Sequence, residues 1–251
     1  MATRVKNAPT TVLYLYGISK TSGAEDEAIS GVDGESLIEA VPCAGLICWV
    51  SRVSKADFAD HLARNIEDLD WLAEMSTRHQ AAVSAIAASR DLLPARFATV
   101  FLTESSLRAD VESRRTQLNS DFKRIAGSEE WGVKVFAKAP EAVKLGPVKT
   151  GKDYLRAKSA LLQQRAPRQA DDSVQRFAGA LEKLCVAIAE GGKIAGGRRD
   201  LLYHVSLLLK RAQRKKLENL VQSFARQWKD SRRIECTGPW PPYSFVSRRV
   251  D

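Results

Sequence analysis

Four cysteines and three histidines are the residues of this chain that could bind a metal or act as nucleophiles. The cysteines are Cys43, Cys48, Cys185 and Cys236. Their wide and irregular spacing is not typical of a zinc ribbon or a dense disulfide framework, and it favours buried free thiols in a reducing compartment. His61, His79 and His204 are scattered, without a carboxylate at a metal-ligand spacing. We therefore predict no metal and no cofactor, and with no paired nucleophile and base we predict no catalytic residue and no enzyme.

Two glycine-containing stretches invite comparison with phosphate-binding loops. Gly146 to Asp153 approaches the pattern of two glycines, a lysine and a hydroxyl residue, but Asp153 replaces the hydroxyl that would bind magnesium. We interpret Gly151 and Asp153 as the start of a helix over Tyr154 to Arg165. Gly191 to Arg199 lacks the order of a dinucleotide fingerprint and precedes a strand, so it indicates a flexible basic turn.

A charge interrupts the predicted third strand. Leu92 to Phe101 is apolar except for Arg96, which Phe97 follows directly. A charge within a strand indicates a solvated face or a paired partner, and Asp91 is a candidate for that partner. Arg96 and Phe97 are our candidate partner-binding residues in this half of the chain.

The C-terminal segment, Thr237 to Val246, has three prolines and three aromatic residues among ten. Proline removes a backbone donor and restricts the residue before it, so we expect Gly238 to Pro242 to be extended. A strand around Arg233 to Thr237, a stiff corner and a short edge strand over Tyr243 to Val246 would then close a domain as a clasp. An aromatic surface that faces a partner is the alternative. In both interpretations the important residues are Trp240, Tyr243 and Phe245.

The charge of the chain changes sign between its halves. Residues 1–127 carry 14 Lys and Arg against 17 Asp and Glu, whereas residues 128–251 carry 25 against 13. We predict two domains with these bounds, the second meeting an acidic surface, a nucleic acid or an anionic lipid. No apolar run approaches the length of a membrane span, and the first ten residues lack the apolar core of a signal peptide. These features predict a cytoplasmic protein without a membrane partner.

The hydrophobic periodicity predicts an α+β fold, with two antiparallel sheets that helices cover on one face. A loop is expected over Thr21 to Glu35. The predicted strands are Thr11 to Ile18, Gly45 to Val53, Leu92 to Phe101, Glu130 to Phe136, Leu201 to Leu209 and Arg232 to Cys236. The predicted helices are one from Ser54 with Phe58, Leu62, Ile66 and Leu69 on its buried face, then Asp70 to Ser89, Thr103 to Ile125, Ala170 to Ala189, and an amphipathic helix that Lys210 opens and Trp228 ends.

The order of several stretches resembles the GvpL/GvpF family of gas vesicle proteins along nearly the whole chain. The stretches are Leu13 to Ile18, Leu93 to Phe101, Glu130 to Val135, Gly151 to Leu155 and, most specifically, Thr237 to Val246. The resemblance implies two α+β domains, each a variant of the ferredoxin-like arrangement. It also implies a role in building gas vesicles.

A gas vesicle shell is assembled from a small, very hydrophobic subunit, so the resemblance implies that this chain binds other proteins. The shell subunit is the expected partner, and other accessory proteins come next. We expect the edge of the clasp, or the helices around residues 58 to 86, to contact the shell subunit. The alternative is a nucleic-acid-binding module that uses Arg198, Arg199 and the basic run Lys210 to Lys216. No recognised nucleic-acid motif surrounds that run, so we do not expect nucleic acid as a partner.

Overall fold

The computed structural model describes residues 10–22, 28–138, 172–191 and 200–247. These residues divide into two compact units, one of Met1–Gly127 with Trp240–Asp251 and the other of Ser128–Pro239. The sequence had assigned residues 240–251 to the second unit, whereas their contacts lie with the first. The phosphate-loop-like stretch, the predicted helix Tyr154 to Arg165 and most of the glycine-rich turn lie outside the described residues.

The first sheet is antiparallel and is built around its first strand. Its strands are β1 (Thr11–Ser19), β2 (Glu39–Cys43), β3 (Leu46–Ser54), β4 (Leu92–Pro94) and β5 (Val100–Phe101). β1 pairs with β3, β4 and β5, and β2 pairs with the outer side of β3. β1 is buried after its first residue because both faces of the sheet are covered.

The helices of the first unit begin with a π-helical turn, Ala56–Asp60. They continue with α1 (Leu62–Glu67), α2 (Leu69–Ala87), α3 (Glu104–Ser113) and α4 (Arg115–Ile125). Asp68 starts α2 as its N-cap, because its carboxylate accepts from Asp70 N at 3.0 Å and Trp71 N at 3.2 Å. Thr103 starts α3 with a capping box.

Helices cover both faces of this sheet, so the prediction of one covered face is wrong for the first unit. α2 shares a core with Tyr14 and Trp49. Cys48 precedes Trp49 in β3 and therefore points to the opposite face. Burial raises the pKa of the Cys48 thiol, and the charges of Arg108 in α3 and of Arg114 directly after it oppose that rise. Leu107 and Val111 of α3 are fully buried, lie outside the core that α2 shares, and belong to a helix that contacts β2 and β5, so α3 covers the Cys48 face.

Three predicted elements of the first unit are divided in the structure. The predicted strand Leu92 to Phe101 is β4 and β5 with a turn at 95–99, and the predicted helix Thr103 to Ile125 breaks at Arg114. The helix predicted from Ser54 ends at Asp68, whose extended backbone (φ −77°, ψ 109°) separates α1 from α2. Ile66 and Leu69 are therefore 37% and 76% exposed, and their predicted burial is wrong. The sequence also missed β2.

The second sheet has four strands, β6 (Ser128–Ala137), β7 (Ala187–Glu190), β8 (Leu201–Lys210) and β9 (Arg232–Trp240). Their order is β7-β8-β6-β9. β6 and β8 pair antiparallel, as do β7 and β8. The predicted alternation along β6 is confirmed for Trp131, Val133 and Val135, which are buried in one core.

Two helices pack on that core, α5 (Asp172–Leu184) and α6 (Arg214–Gln227). The predicted helix Ala170 to Ala189 is too long, because its last residues form β7. In the part of the chain that the structure describes, no helix is long and apolar enough to cross a membrane.

The C-terminal segment differs from its prediction. β9 continues through Pro239 to Trp240, and Tyr243–Phe245 form a 3₁₀ turn. Tyr243 N donates to Pro241 O and Phe245 N to Pro242 O, so local bonds replace the expected edge strand.

Candidate functional site

A five-residue turn, Ala95 to Thr99, links β4 to β5 and is held against β1 at both ends and in the middle. Ala95 N donates to Tyr16 O at 2.9 Å, and Leu15 N donates to Thr99 O at 2.9 Å. Between them, Ala98 N donates to the Tyr14 hydroxyl at 2.9 Å. Ala98 has a φ of 62°, a left-handed conformation that is unfavourable for a residue other than glycine. The turn is therefore fixed in one uncommon backbone shape.

Arg96 lies at the exposed tip of this turn. Its carbonyl accepts hydrogen bonds from Thr99 N at 3.2 Å and Thr99 Oγ1 at 2.8 Å. Its guanidinium makes no hydrogen bond or ion pair with any residue in the described ranges. The predicted pairing with Asp91 is wrong, since the Asp91 carboxylate accepts from Gly127 N at 3.0 and 3.2 Å.

Beneath the turn, a chain of three side chains joins β1, α2 and the C-terminal segment. The Tyr14 hydroxyl accepts from Ala98 N, and in the tautomer of His79 that has no proton on Nδ1 it donates to His79 Nδ1 at 3.0 Å. His79 Nε2 then carries the proton and lies 3.3 Å from the Tyr243 hydroxyl. Burial lowers the pKa of His79 to about 4 and raises the pKa of Tyr14, so both side chains are neutral near pH 7.

Aromatic rings surround this chain of hydrogen bonds. The Phe97 ring lies 5.8 Å from the His79 ring and 6.4 Å from the Trp71 ring, centroid to centroid. Trp71 lies in the first turn of α2, two residues after the exposed Leu69. The half-buried rings therefore continue from the turn to the junction of α1 and α2. We call this area the aromatic surface, defined by Ile66, Leu69, Trp71, Arg96, Phe97 and Tyr243.

The predicted site residues fall in three places. Phe97 and Tyr243 both contact His79. Phe245 is buried, and its carbonyl accepts from Arg124 Nη1 of α4 at 2.8 Å. Trp240 ends β9 and is 43% exposed. The sequence prediction omitted Tyr14, His79 and Trp71, although a tyrosine inside a fully apolar strand signals a buried hydroxyl that needs a partner.

The C-terminal segment is fastened to the first unit by a buried carboxylate. Asp121 of α4 accepts hydrogen bonds from Ser247 N and Ser247 Oγ, each at 2.9 Å. The same carboxylate lies 3.1 Å from Arg124 Nη1. Together with Phe245, these bonds hold Tyr243 in place beside His79.

The basic run of the second unit is partly occupied by ion pairs. Arg214 Nε and Nη2 donate to the Glu129 carboxylate at 3.0 and 2.8 Å. Burial raises the pKa of Glu129, but the hydrogen bonds from Arg214 and Trp131 and the charges of Arg214 and Arg211 together outweigh burial and hold that pKa below its usual value. Lys215 Nζ lies 3.5 Å from Glu218. Among the described residues, no group of three His, Cys, Asp or Glu side chains could hold a metal ion.

Two antiparallel sheets with packed helices define a mixed α/β protein, and its candidate site is a surface of rings over a buried hydrogen-bond chain. The profile of the family described as "Gas vesicle synthesis protein GvpL/GvpF" matches residues 12–247. The chain belongs to this family, and it takes part in gas vesicle formation. The family expected from the sequence is thereby confirmed.

Known relatives resemble the chain over nearly its full length. It is 29% identical to gas vesicle protein L of Streptomyces sp. (strain CB03234) over 253 residues, 93% of this chain and 92% of the relative. Its fold resembles the crystal structure of GvpF from Anabaena sp. PCC7120, with a TM-score of 0.70, 20% identity and coverage of 96% and 98% of the two chains. GvpF from Microcystis aeruginosa gives a TM-score of 0.67, 20% identity and coverage of 94% and 99%.

Proposed function

We propose that this chain binds the hydrophobic shell subunit of the gas vesicle and supports vesicle assembly, as an accessory or minor structural protein in the cytoplasm. An unassembled shell subunit exposes apolar surface and would aggregate, so a protein that covers that surface favours assembly. Other gas vesicle accessory proteins are further partners in this proposal. The activity is binding rather than bond chemistry.

The aromatic surface is the face that we assign to the shell subunit, and the exposure of Leu69 carries the proposal. Leu69 is 76% exposed at the first residue of α2, a helix that Asp68 caps. Burying one leucine side chain against a partner contributes about 1.5–3 kcal/mol. Ile66, near the end of α1, is 37% exposed and adds further apolar area.

Side-chain burial is a better mechanism here than pairing of strand edges. The expected clasp edge is a 3₁₀ turn, which has no row of free ladder groups. β2 is an edge strand, but Pro42 has no N–H and its carbonyl accepts from Arg108 Nη1. β4 and β5 form the other edge of the described sheet, and they are only three and two residues long, so each offers a partner strand a short row of ladder groups.

We also propose that the two units are independent domains related to the ferredoxin-like arrangement. The four-stranded second sheet, with α5 and α6 packed on one core, supports this for the second unit. Limited proteolysis tests the division: cleavage near residues 127 and 239 that leaves stable fragments would support it, and uniform degradation would contradict it.

A retention assay with immobilised shell subunit tests the binding proposal. Wild-type chain should be retained at low and high salt, because burial of apolar surface is not screened by salt. Leu69→Gln should weaken retention by about tenfold, which corresponds to roughly 1.4 kcal/mol. Leu102→Gln is the matched control, since Leu102 is 57% exposed but lies outside the aromatic surface. Failure of the wild-type chain to bind at either salt would remove the proposal.

A further inference from the structure

We propose that the turn 95–99 is a preorganised arginine site, in which Arg96 pairs with a carboxylate on the shell subunit. This inference rests on the proposed function and adds the chemistry of recognition to it. The apolar part of the aromatic surface supplies area, whereas Arg96 selects the partner and its orientation.

The backbone of the turn is strained and is held by buried groups. An alanine at a φ of 62° is less stable than the same residue in an ordinary region. The hydrogen bond from Ala98 N to Tyr14 keeps it there, and His79 fixes the Tyr14 hydroxyl in turn. A simple link between β4 and β5 needs no such conformation. The strain is therefore a reason to look for a function at the tip.

The side chain at the tip is free to accept a partner. Arg96 is exposed, and its own carbonyl is tied to Thr99 N and Oγ1, so the direction of its side chain from the backbone is set. Its guanidinium pairs with no acidic group within the described ranges. By contrast, many arginines of the first unit already pair with a carboxylate inside it, namely Arg52, Arg78, Arg108, Arg114, Arg115 and Arg124.

The guanidinium and its surroundings favour a carboxylate as the group recognised. Arginine presents parallel N–H donors that match the two oxygens of a carboxylate, which lysine cannot do. Phe97 follows Arg96 within the turn, and both Phe97 and Tyr243 contact His79. When a partner covers these rings and excludes water, a charge pair at the rim of the contact becomes stronger.

Titration of the purified shell subunit against variants of the full chain tests this inference. Arg96→Gln should raise the dissociation constant by about tenfold or more, and Arg96→Lys by at least about threefold, because the paired geometry is lost. Arg115→Gln is the control, since Arg115 is also exposed and its ion pair with Glu112 is long, at 3.9 Å. It should remain within about twofold of wild type.

The thermal midpoint of Arg96→Gln should equal that of wild type, because the guanidinium makes no hydrogen bond or ion pair with a residue that the structure describes. Ala98→Gly provides a second test, since glycine relieves the strain and loosens the turn. It should weaken binding by about two- to threefold without lowering stability.

The outcomes separate this inference from the proposed function. Equal binding by Arg96→Gln and Arg115→Gln, with wild-type binding intact, would overturn the arginine site and leave the proposed function in place. Absence of wild-type binding would overturn both. Loss of binding in Arg96→Gln alone supports the site. Rescue of Arg96→Glu by an acid-to-lysine change in the shell subunit would then identify the carboxylate.

Discussion

The two units use aromatic residues in different ways. In the first unit, Tyr14 and Tyr243 are hydrogen-bonded to His79, and the bonds continue to the backbone of an exposed turn. In the second unit, Phe177, Phe224 and Trp228 contact one another at centroid distances of 4.9–5.4 Å.

Trp228 Nε1 is buried there without a hydrogen-bond partner among the described residues. Ring packing without directional bonds supplies stability, whereas hydrogen bonds fix geometry. The first unit also carries the exposed Leu69, and this exposure is why we place the binding surface there.

The largest expected effect comes from breaking the packed cluster. Phe177 is fully buried between α6 and the second sheet, so Phe177→Ala should lower the free energy of unfolding of that unit by about 3–5 kcal/mol. Hydrogen exchange followed by mass spectrometry should show faster exchange in β6 and β8.

Phe224→Ala is the matched comparison. Because Phe224 is only half-buried, this substitution should lower the free energy of unfolding by less than Phe177→Ala does. An equal acceleration of exchange in β1 and β3 after Phe177→Ala would contradict the separation into two packed units.

The second effect is a pH dependence that belongs to the first unit. The folded-state pKa of His79 is about 4, below its ordinary value of 6.5. Between these pKa values the unfolded chain binds the proton more strongly than the folded chain. The contribution of neutral His79 to the stability of the first unit is therefore complete above pH 6.5 and is lost as the pH falls towards 4. The free energy of unfolding of the first unit should fall by roughly 3 kcal/mol as the pH is lowered, measured by urea denaturation at each pH.

His79→Gln is the control for this titration, since glutamine can hydrogen-bond but does not ionise. The variant should be less stable than wild type at pH 7 and should lose less stability between pH 7 and 4. Identical pH profiles of wild type and variant would show that His79 is not buried as a neutral side chain.

The third effect compares the two ends of the hydrogen-bond chain. Tyr14→Phe leaves Ala98 N and His79 Nδ1 without their partner in a buried place, and should cost about 1–3 kcal/mol. Tyr243→Phe removes the longer, partly exposed bond of 3.3 Å to His79, and the loss of that bond should cost about 0.5–1 kcal/mol. Urea unfolding of both variants measures the order, and a larger cost for Tyr243→Phe would contradict the proposed direction of the chain.

Much of the fold could be predicted from the sequence because hydrophobic periodicity reports burial directly. The alternation of Trp131, Val133 and Val135 predicted β6, and the stripe Leu107 to Ile125 predicted which face of α3 and α4 is buried. The breaks were harder to predict. Asp68 divides two helices by capping the second one, and an apolar pattern through Ile66 and Leu69 hides that cap.

The candidate site was only half predictable. Arg96, Phe97 and Tyr243 were visible as a charge in an apolar run and an aromatic terminus. Their connection through His79 was not visible, because it joins residues far apart in the chain by hydrogen bonds, and sequence spacing does not encode such contacts. Local bonds after Pro241 and Pro242 likewise turned an expected strand into a 3₁₀ turn.

Hydrogen exchange of the chain with and without added shell subunit is the most direct test of the account. We expect slower exchange at residues 62–72 and 95–99 of the first unit, and unchanged exchange along α6 in the second. Protection confined to α6 and its basic residues, with residues 62–72 and 95–99 unaffected, would contradict the assignment of binding to the aromatic surface.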